Sequence, residues 1–444
     1  MAGRMRKLLR QARDAWLILS VTFLGLLVLE VTLSLAYLAA DRVRASSPAS
    51  LDGRSRSDVY TDVAWVNDYF RELEESAVTQ WTSYVYWRRQ PYQGRHINVD
   101  AEGIRRTWNC HQEERGAVDP LKVFTFGGSA MWGVGARDEF TIPSYLAKAL
   151  KERGIRCEVT NFGESGYVST QEAVALLQEL RNGNIPDLVI FYDGVNDIYS
   201  AYQQQKAGLP QNEFHRAQEF NVSQPRSHGS LRLLCIRRWI SRLAMVRFSR
   251  NLLRKAGIEV DPSATATHQS PMGNAIGGDT LFREVLAVYK GNMRAVRALG
   301  ESYGFKALFY WQPTVFSKGA PTAGEQQVQQ EIWDLQPYCE NMCKLVQQES
   351  LSGAHYGVLH DMSGVFSQVQ QPVFIDWCHI SEWGNEQIAR RMAADTINLI
   401  GDNAIAGSND PRTLLTQLTM RSIRSIRSKG GNRNYAHAPA SPQP

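Results

Sequence analysis

Three patterns of apolar and polar positions follow one another along the chain. The first is a continuous apolar run, WLILSVTFLGLLVLEVTLSLAYLAA, at 16–40, interrupted by a single charge, Glu30. At ~1.5 Å per residue such a helix is longer than a hydrocarbon core of ~30 Å, so the run predicts a membrane span with some tilt. A cleavable signal peptide has an apolar region of only about 7–15 residues, so a retained signal anchor over 15–40 is expected. Arg4, Arg6, Lys7, Arg10 and Arg13 precede it without an acid among them. That charge block predicts a cytoplasmic basic segment over 1–14, with everything after 41 outside. Glu30 would cost about 2–3 kcal/mol at mid-membrane. Two roles fit it: toleration near one end of a tilted helix, or pairing of anchors in an oligomer.

The second pattern is polar, then aromatic. Residues 41–58 (DRVRASSPASLDGRSRSD) are Ser-rich and poor in apolar positions, which predicts a flexible linker. Residues 59–118 carry Trp65, Tyr69, Phe70, Trp81, Tyr84, Tyr86, Trp87 and Tyr92, with short alternating runs between Gly and Pro, which predicts small strands and turns. These aromatics are expected to pack the extension onto the main domain. A sugar-stacking platform beside Arg88, Arg89 and Arg95 is the alternative.

From 119 to 403 short apolar runs alternate with amphipathic stretches. Strands are predicted at 122–128, 157–163, 187–194, 305–313 and 357–363, and helices near 142–153, 170–182, 281–303, 324–350 and 384–400. Continuous apolar strands alternating with helices imply a parallel sheet covered on both faces. Residues 198–280 break the rhythm as an insertion. Within it the apolar and basic run 231–257 is expected to cap the active site, with an interfacial helix on anionic lipid as the alternative. Residues 404–444 are polar and basic and read as a disordered tail.

Composition narrows the classes. A hydrophobic share of 43% excludes a wholly disordered chain. Lys+Arg 49 against Asp+Glu 44 gives +5, concentrated at the ends, which is too mild for a nucleic-acid binder. Six cysteines without a CxxC pair suggest neither a disulfide scaffold nor zinc. Cys378 is a candidate for a disulfide with Cys339, Cys343 or Cys110. No repeat of solenoid length is present.

Four segments fall at the C-terminal ends of predicted strands, where open α/β sheets bind ligands. GGSAMWG presents Ser129 at a strand-to-helix turn. NFGESGY carries Gly163 and Gly166, which allow close backbone approach. YDGVNDIY offers the Asn196 amide, and DWCHISEWGN places Asp376 three residues before His379. A serine hydroxyl needs a base to become a nucleophile, and His379 can serve. The imidazole needs an orienting acceptor, which Asp376 can supply. The Ser129 N–H, the Gly166 N–H and the Asn196 amide can form an oxyanion hole. Asp193 and Asp197 bracket Asn196 and are expected to hold its loop by hydrogen bonds.

The order Ser, Gly, Asn, then Asp-x-x-His resembles the SGNH (GDSL-like) hydrolase superfamily over about 120–400. The resemblance implies a flavodoxin-like three-layer sandwich and an ester hydrolase needing no metal or organic cofactor. It makes Ser129 the nucleophile, His379 the base and Asp376 its partner, with Gly166 and Asn196 completing the oxyanion hole. The acid usual before the nucleophile is Gly128 here. The expectation is a membrane-anchored esterase, facing the periplasm or exterior, that removes acyl groups, plausibly acetyl, from a carbohydrate or envelope polymer. Competing readings are a sugar O-acyltransferase, a lipid or lysophospholipid esterase, and a catalytically silent scaffold in envelope-polymer assembly.

Overall fold

The computed structural model describes residues 2–45, 52–109, 120–223, 239–255, 278–351 and 359–407. Helix α1 (Ala2–Ala45) is long and apolar enough to cross a membrane, and its apolar stretch is not buried against the rest of the chain. After it, α2 (Val66–Glu75) and two short hairpins, β1 (Thr79–Thr82) with β2 (Tyr86–Arg89) and β3 (Tyr92–Gln93) with β4 (Asn98–Val99), build the aromatic-rich extension.

The main domain is one sheet of β5 (Leu121–Gly127), β6 (Cys157–Asn161), β7 (Leu188–Asp193), β8 (Lys306–Trp311) and β9 (Leu359–Asp361). All neighbours are parallel and the order is β6-β5-β7-β8-β9. This is the flavodoxin-like order, and each strand overlaps its predicted run. Alternation sorts the side chains by face. Phe124, Phe126, Phe191 and Phe309 join one core with α5 (Ser169–Arg181), α9 (Gly278–Tyr303) and α11 (Gln336–Leu351). Val123, Ile190, Leu308 and Tyr310 join the other with α4 (Ile142–Glu152) and α12 (Glu382–Gly407). Register places Phe126 beside Phe191 and Phe191 beside Phe309, so these rings stack across strands at 5.1 Å. The three-layer sandwich is therefore a direct product of period-2 alternation in strands buried on both sides.

The shorter helices are α3 (Ser129–Trp132), α6 (Val195–Gln204), α7 (Glu213–Ser223), α8 (Ala244–Lys255) and α10 (Ala323–Glu331). Three expectations change. The helix predicted over 324–350 is two, α10 and α11, separated by a tight turn at Trp333–Leu335, with Pro337 in the first turn of α11, where its missing N–H costs nothing. The described parts of the linker expected over 41–58 are structured: residues 41–45 continue α1, and Asp52–Ser57 is a hydrogen-bonded turn whose Ser57 hydroxyl donates to Phe374 O at 3.2 Å, while 46–51 lie outside the described residues. Asp58 then accepts from the Gly324 N–H and the Thr322 hydroxyl at 3.1 Å each. Finally, α8 does not cap the site. It lies along α1, because Glu30 accepts from the N–H groups that open α8.

The extension packs onto the main domain as expected through some of its aromatics, while Trp81 and Tyr84 stay exposed. Tyr60, Val66, Tyr69 and Phe70 are buried with Trp132, Val134 and Ile375. The Tyr60 hydroxyl donates to Gly135 O at 2.7 Å, and the Tyr69 hydroxyl accepts from the Gly135 N–H at 2.8 Å. Cys157, Cys339, Cys343 and Cys378 are free thiols, so the pairings of Cys378 with Cys339 or Cys343 are not made; Cys110 lies outside the described residues. So does the tail beyond 407.

Candidate active site

Strand β5 ends at Gly127, and the chain turns through Gly128 into α3 at Ser129. The segment that follows the turn is held by buried donors. Arg105, fully buried, donates to Trp132 O at 3.1 Å, Gly133 O at 2.7 Å and Ala136 O at 2.7 Å, and pairs with Asp138 at 3.0 Å. A guanidinium has enough donors to satisfy these carbonyls at once. Asn161 adds hydrogen bonds to Met131 O and Trp132 O at 3.2 Å each.

Asp376 and His379 come from the turn before α12. That turn is closed by a bridge between Phe374 and Ile380 and by the Ile375 N–H donating to His379 O at 3.0 Å. It carries His379 to Ser129, 250 residues earlier in the chain, with Nε2 at 2.7 Å from Oγ. On the other side Nδ1 lies 2.6 Å from Asp376 Oδ2. The second carboxylate oxygen of Asp376 accepts from the Cys378 N–H at 3.0 Å and the His379 N–H at 2.8 Å. Burial opposes ionisation of Asp376, but His379, Arg54 and these N–H groups outweigh it and hold the carboxyl far below its usual range. An ionised Asp376 fixes the proton on Nδ1, which leaves Nε2 as an acceptor for the serine proton. Asp376, Cys378 and His379 also form the one cluster of ligating side chains among the described residues, but both nitrogens of His379 are already engaged.

Gly166 sits at φ +79, a conformation that strongly favours glycine. Neither its N–H nor that of Ser129 meets a protein acceptor among the described residues, so both are available to an oxyanion. Gly163, by contrast, donates its N–H to Asn161 Oδ1 at 3.0 Å. The Asn196 amide donates to Tyr167 O at 2.8 Å and accepts from Gln211 at 3.4 Å. It packs so closely on Gly128 that a Cβ there would overlap its nitrogen. Gly128 is thus matched to this placement of Asn196. Beneath it, Asp197 accepts from the Ser169 hydroxyl at 2.6 Å, and Asp193 accepts from the Tyr289 hydroxyl at 3.3 Å. Both hold the loop by hydrogen bonds, as expected, and burial pushes Asp197 up to about 6.

The site opens into a cleft of about 510 Å³ lined by Asp52, Arg54, Leu73, Glu74, Ala77, Arg89, Ser129, Val134, Ser165 and His379. Asp52 and Arg54 were not legible as site residues in the sequence. Arg54 is clamped by Asp52 at 2.6 Å and reaches Asp376 Oδ2 at 3.4 Å. Its partner lies 322 residues away, so only the motif's own Asp and the two neighbouring charges could have hinted at it. Arg89, stacked on Trp132 at 3.8 Å, donates to the Ser165 hydroxyl at 3.0 Å and forms the floor. Gln211, in the expected insertion, reaches Asn196 and lies against Gly166.

No family model and no curated protein matches the chain. Among solved structures, the chain is similar to an acetyl xylan esterase at 16% identity and TM-score 0.32, covering 62% of this chain and 100% of that one. It is similar to a protein described as lipolytic and of the G-D-S-L family from Desulfitobacterium hafniense, at 10% identity and TM-score 0.32, covering 62% and 98%. It is also similar to a catalytic mutant of an acetylxylan esterase from Geobacillus stearothermophilus, at 13% identity and TM-score 0.33, covering 63% and 96%.

Proposed function

We propose that the chain is a membrane-anchored serine esterase of the SGNH type, with its catalytic domain outside the cytoplasm, removing small acyl groups from a carbohydrate. The observation that carries this reading is the continuous relay from Ser129 Oγ through His379 to Asp376, with contacts of 2.7 and 2.6 Å, at the floor of an open cleft.

The chemistry follows from the geometry. Ser129 Oγ attacks the ester carbonyl while His379 Nε2 takes its proton, and Asp376 stabilises the imidazolium. The oxyanion forms against the N–H groups of Ser129 and Gly166 and the Asn196 amide, each such donor being worth roughly 3 kcal/mol. The ester C–O bond breaks, and His379 returns the proton to the leaving alcohol. Water, deprotonated by His379, then attacks the acyl-serine, the acid leaves and Ser129 is regenerated.

The cleft wall favours a polar substrate over a long acyl chain. Asp52, Arg54, Glu74 and Arg89 present charge and hydrogen-bonding groups, while the apolar lining residues, Leu73, Ala77 and Val134, are few and small. Such a wall suits a hydroxyl-rich alcohol with a short acyl group. The excess of positive charge in α1 before its apolar run supports the outward orientation.

The test is hydrolysis of acetylated xylo-oligosaccharides and short aryl esters by the wild type and Ser129→Ala. Loss of one triad member is expected to lower kcat by on the order of 10⁴–10⁶. Residual activity above a tenth of wild type would overturn the assignment.

A further inference from the structure

Two features of the sequence play no part in ester hydrolysis: the acid inside the apolar run, Glu30, and the basic, apolar stretch around 244–255. The structure joins them. Glu30 Oε1 accepts from the Ala244 N–H at 2.6 Å and Oε2 from the Met245 N–H at 2.9 Å. A carboxylate against the first N–H groups of a helix is favoured by both hydrogen bonding and the helix dipole. One helical stretch further on, Asn251 donates to the Tyr37 hydroxyl at 3.3 Å, with the same sequence offset of 214 as the Glu30–Ala244 contact. Equal offsets at both ends mean that α8 runs parallel to α1, side by side with its residues 30–37. Arg247 lies 4.1 Å over the Tyr37 ring and pairs with Asp41 at 3.0 Å.

The depth of this contact follows from length. A hydrocarbon core takes about 20 helical residues. Counted from Ala15, it ends near Leu35, so Glu30 lies roughly 7 Å inside the outer edge. Tyr37 falls at the interface, where its ring is favoured, and Asp41 lies beyond it. α8 therefore accompanies α1 from Glu30, inside the hydrocarbon core, to Tyr37 at the interface.

The stripe of α8 that meets α1 is Ala244, Arg247 and Asn251. The adjoining stripe carries Phe248 and Leu252, which are 48% and 58% exposed; Trp239 and Ile240, just before α8, are 65% and 42% exposed. Beside α8 on α1, Val31, Leu35 and Leu38 are 52%, 61% and 51% exposed. Arg242 is exposed and Arg250 half-buried on the same segment. An apolar ridge continuous with a membrane helix, edged by arginines, has the composition of an interfacial segment.

Resting on the reading of α1 as a membrane span, we infer that residues 239–255 form a second membrane contact: α8 is clamped to the outer end of α1 by Glu30 and seats Phe248 and Leu252, with Trp239 and Ile240 ahead of them, against outer-leaflet phospholipid. Glu30 is then neither an oligomer contact nor a tolerated defect. It is the acceptor that docks α8 and draws the catalytic domain onto the bilayer surface.

The test uses the full chain in vesicles of phosphatidylethanolamine and phosphatidylglycerol, doped with a phospholipid carrying a photoactivatable diazirine on an acyl carbon near the ester. Adducts are mapped by mass spectrometry. Adducts are expected on both α1 and residues 239–252. Glu30→Ala should lower those on 239–252 at least fivefold while leaving those on α1, and esterase activity on a soluble aryl ester, unchanged. The double variant Phe248→Ser, Leu252→Ser, which leaves the Glu30 contact intact, should lower adducts on 239–252 to a similar degree. Adducts on α1 alone would overturn the second contact while sparing the anchor. Adducts on neither would overturn both, and no change in either variant would overturn the clamp.

Discussion

Arg54 makes the sharpest test of how the site is wired, because the two charges beside it act with opposite sign. Its guanidinium stands 3.4 Å from Asp376 Oδ2 and 2.6 Å from Asp52. At an effective dielectric of ~20 the bare attraction to Asp376 is about 5 kcal/mol. Solvent screening at this part-exposed site leaves about 1 kcal/mol of it, close to 0.7 of a pH unit, and Asp52, against the same guanidinium, offsets it with opposite sign. In Arg54→Gln the cation is gone and Asp52 remains, so Asp376 loses a stabilising charge and the region around it becomes more negative. The acid limb of the kcat/KM profile, which reports the essential base of the free enzyme, should move up by about 0.5–1 pH unit. In Asp52→Asn the cation is unopposed, so the limb should move down. The double variant should return close to wild type. The assay is kcat/KM on a neutral aryl acetate from pH 4 to 9, so that substrate charge plays no part. A limb that stays put in both single variants, with only KM changed, would refute the coupling and leave Arg54 as a substrate contact.

Further outcomes follow from the same geometry. Asn196→Ala should cost on the order of 10²–10³ in kcat with little change in KM. Gly128→Ala should cost a similar amount by displacing the Asn196 amide, and the double variant should be no worse than either, measured by steady-state kinetics. Arg105→Met leaves the Asp138 carboxylate and three turn carbonyls without their buried donor, and should destabilise the fold by about 3–5 kcal/mol in urea denaturation of the detergent-solubilised chain. Burial, opposed by the hydrogen bond with Glu172 and aided by nearby Asp197, pushes Asp193 up to about 7, so between its unfolded value near 3.8 and that pH the folded state binds the extra proton. Its contribution to stability is therefore present in acid and lost as pH rises towards 7. Asp193→Asn should flatten that part of the stability–pH curve; an unchanged slope would contradict the buried acid's role.

What the sequence reveals and what it hides have separate physical causes. The sheet is legible because strands buried on both faces, such as KVFTFGG and DLVIFYDG, must be continuously apolar; β5 overlaps the first run and β7 falls inside the second. Ser129, Asn196, Asp376 and His379 are legible because each sits at the end of such a strand or just before the last helix. Their convergence is a tertiary fact, and only the structure supplies the 2.7 Å contact. Asp52 and Arg54 hide in a Ser-rich stretch without periodicity, whose order comes from distant partners at Phe374, Asp376 and Thr322. The placement of α8 hides for the same reason: amphipathicity tells that a helix has an apolar face and not which surface covers it. Pro337 is a local signal for the break between α10 and α11, outweighed in the sequence by an otherwise helical composition.

The central claim is that Ser129 is an activated nucleophile. The most direct measurement is covalent labelling of the folded, full-length chain by a fluorophosphonate probe, with the modified residue mapped by peptide mass spectrometry. Labelling is expected at Ser129, abolished in Ser129→Ala and strongly slowed in His379→Ala. A folded wild-type chain that takes no label, or takes it at another serine, would contradict the account.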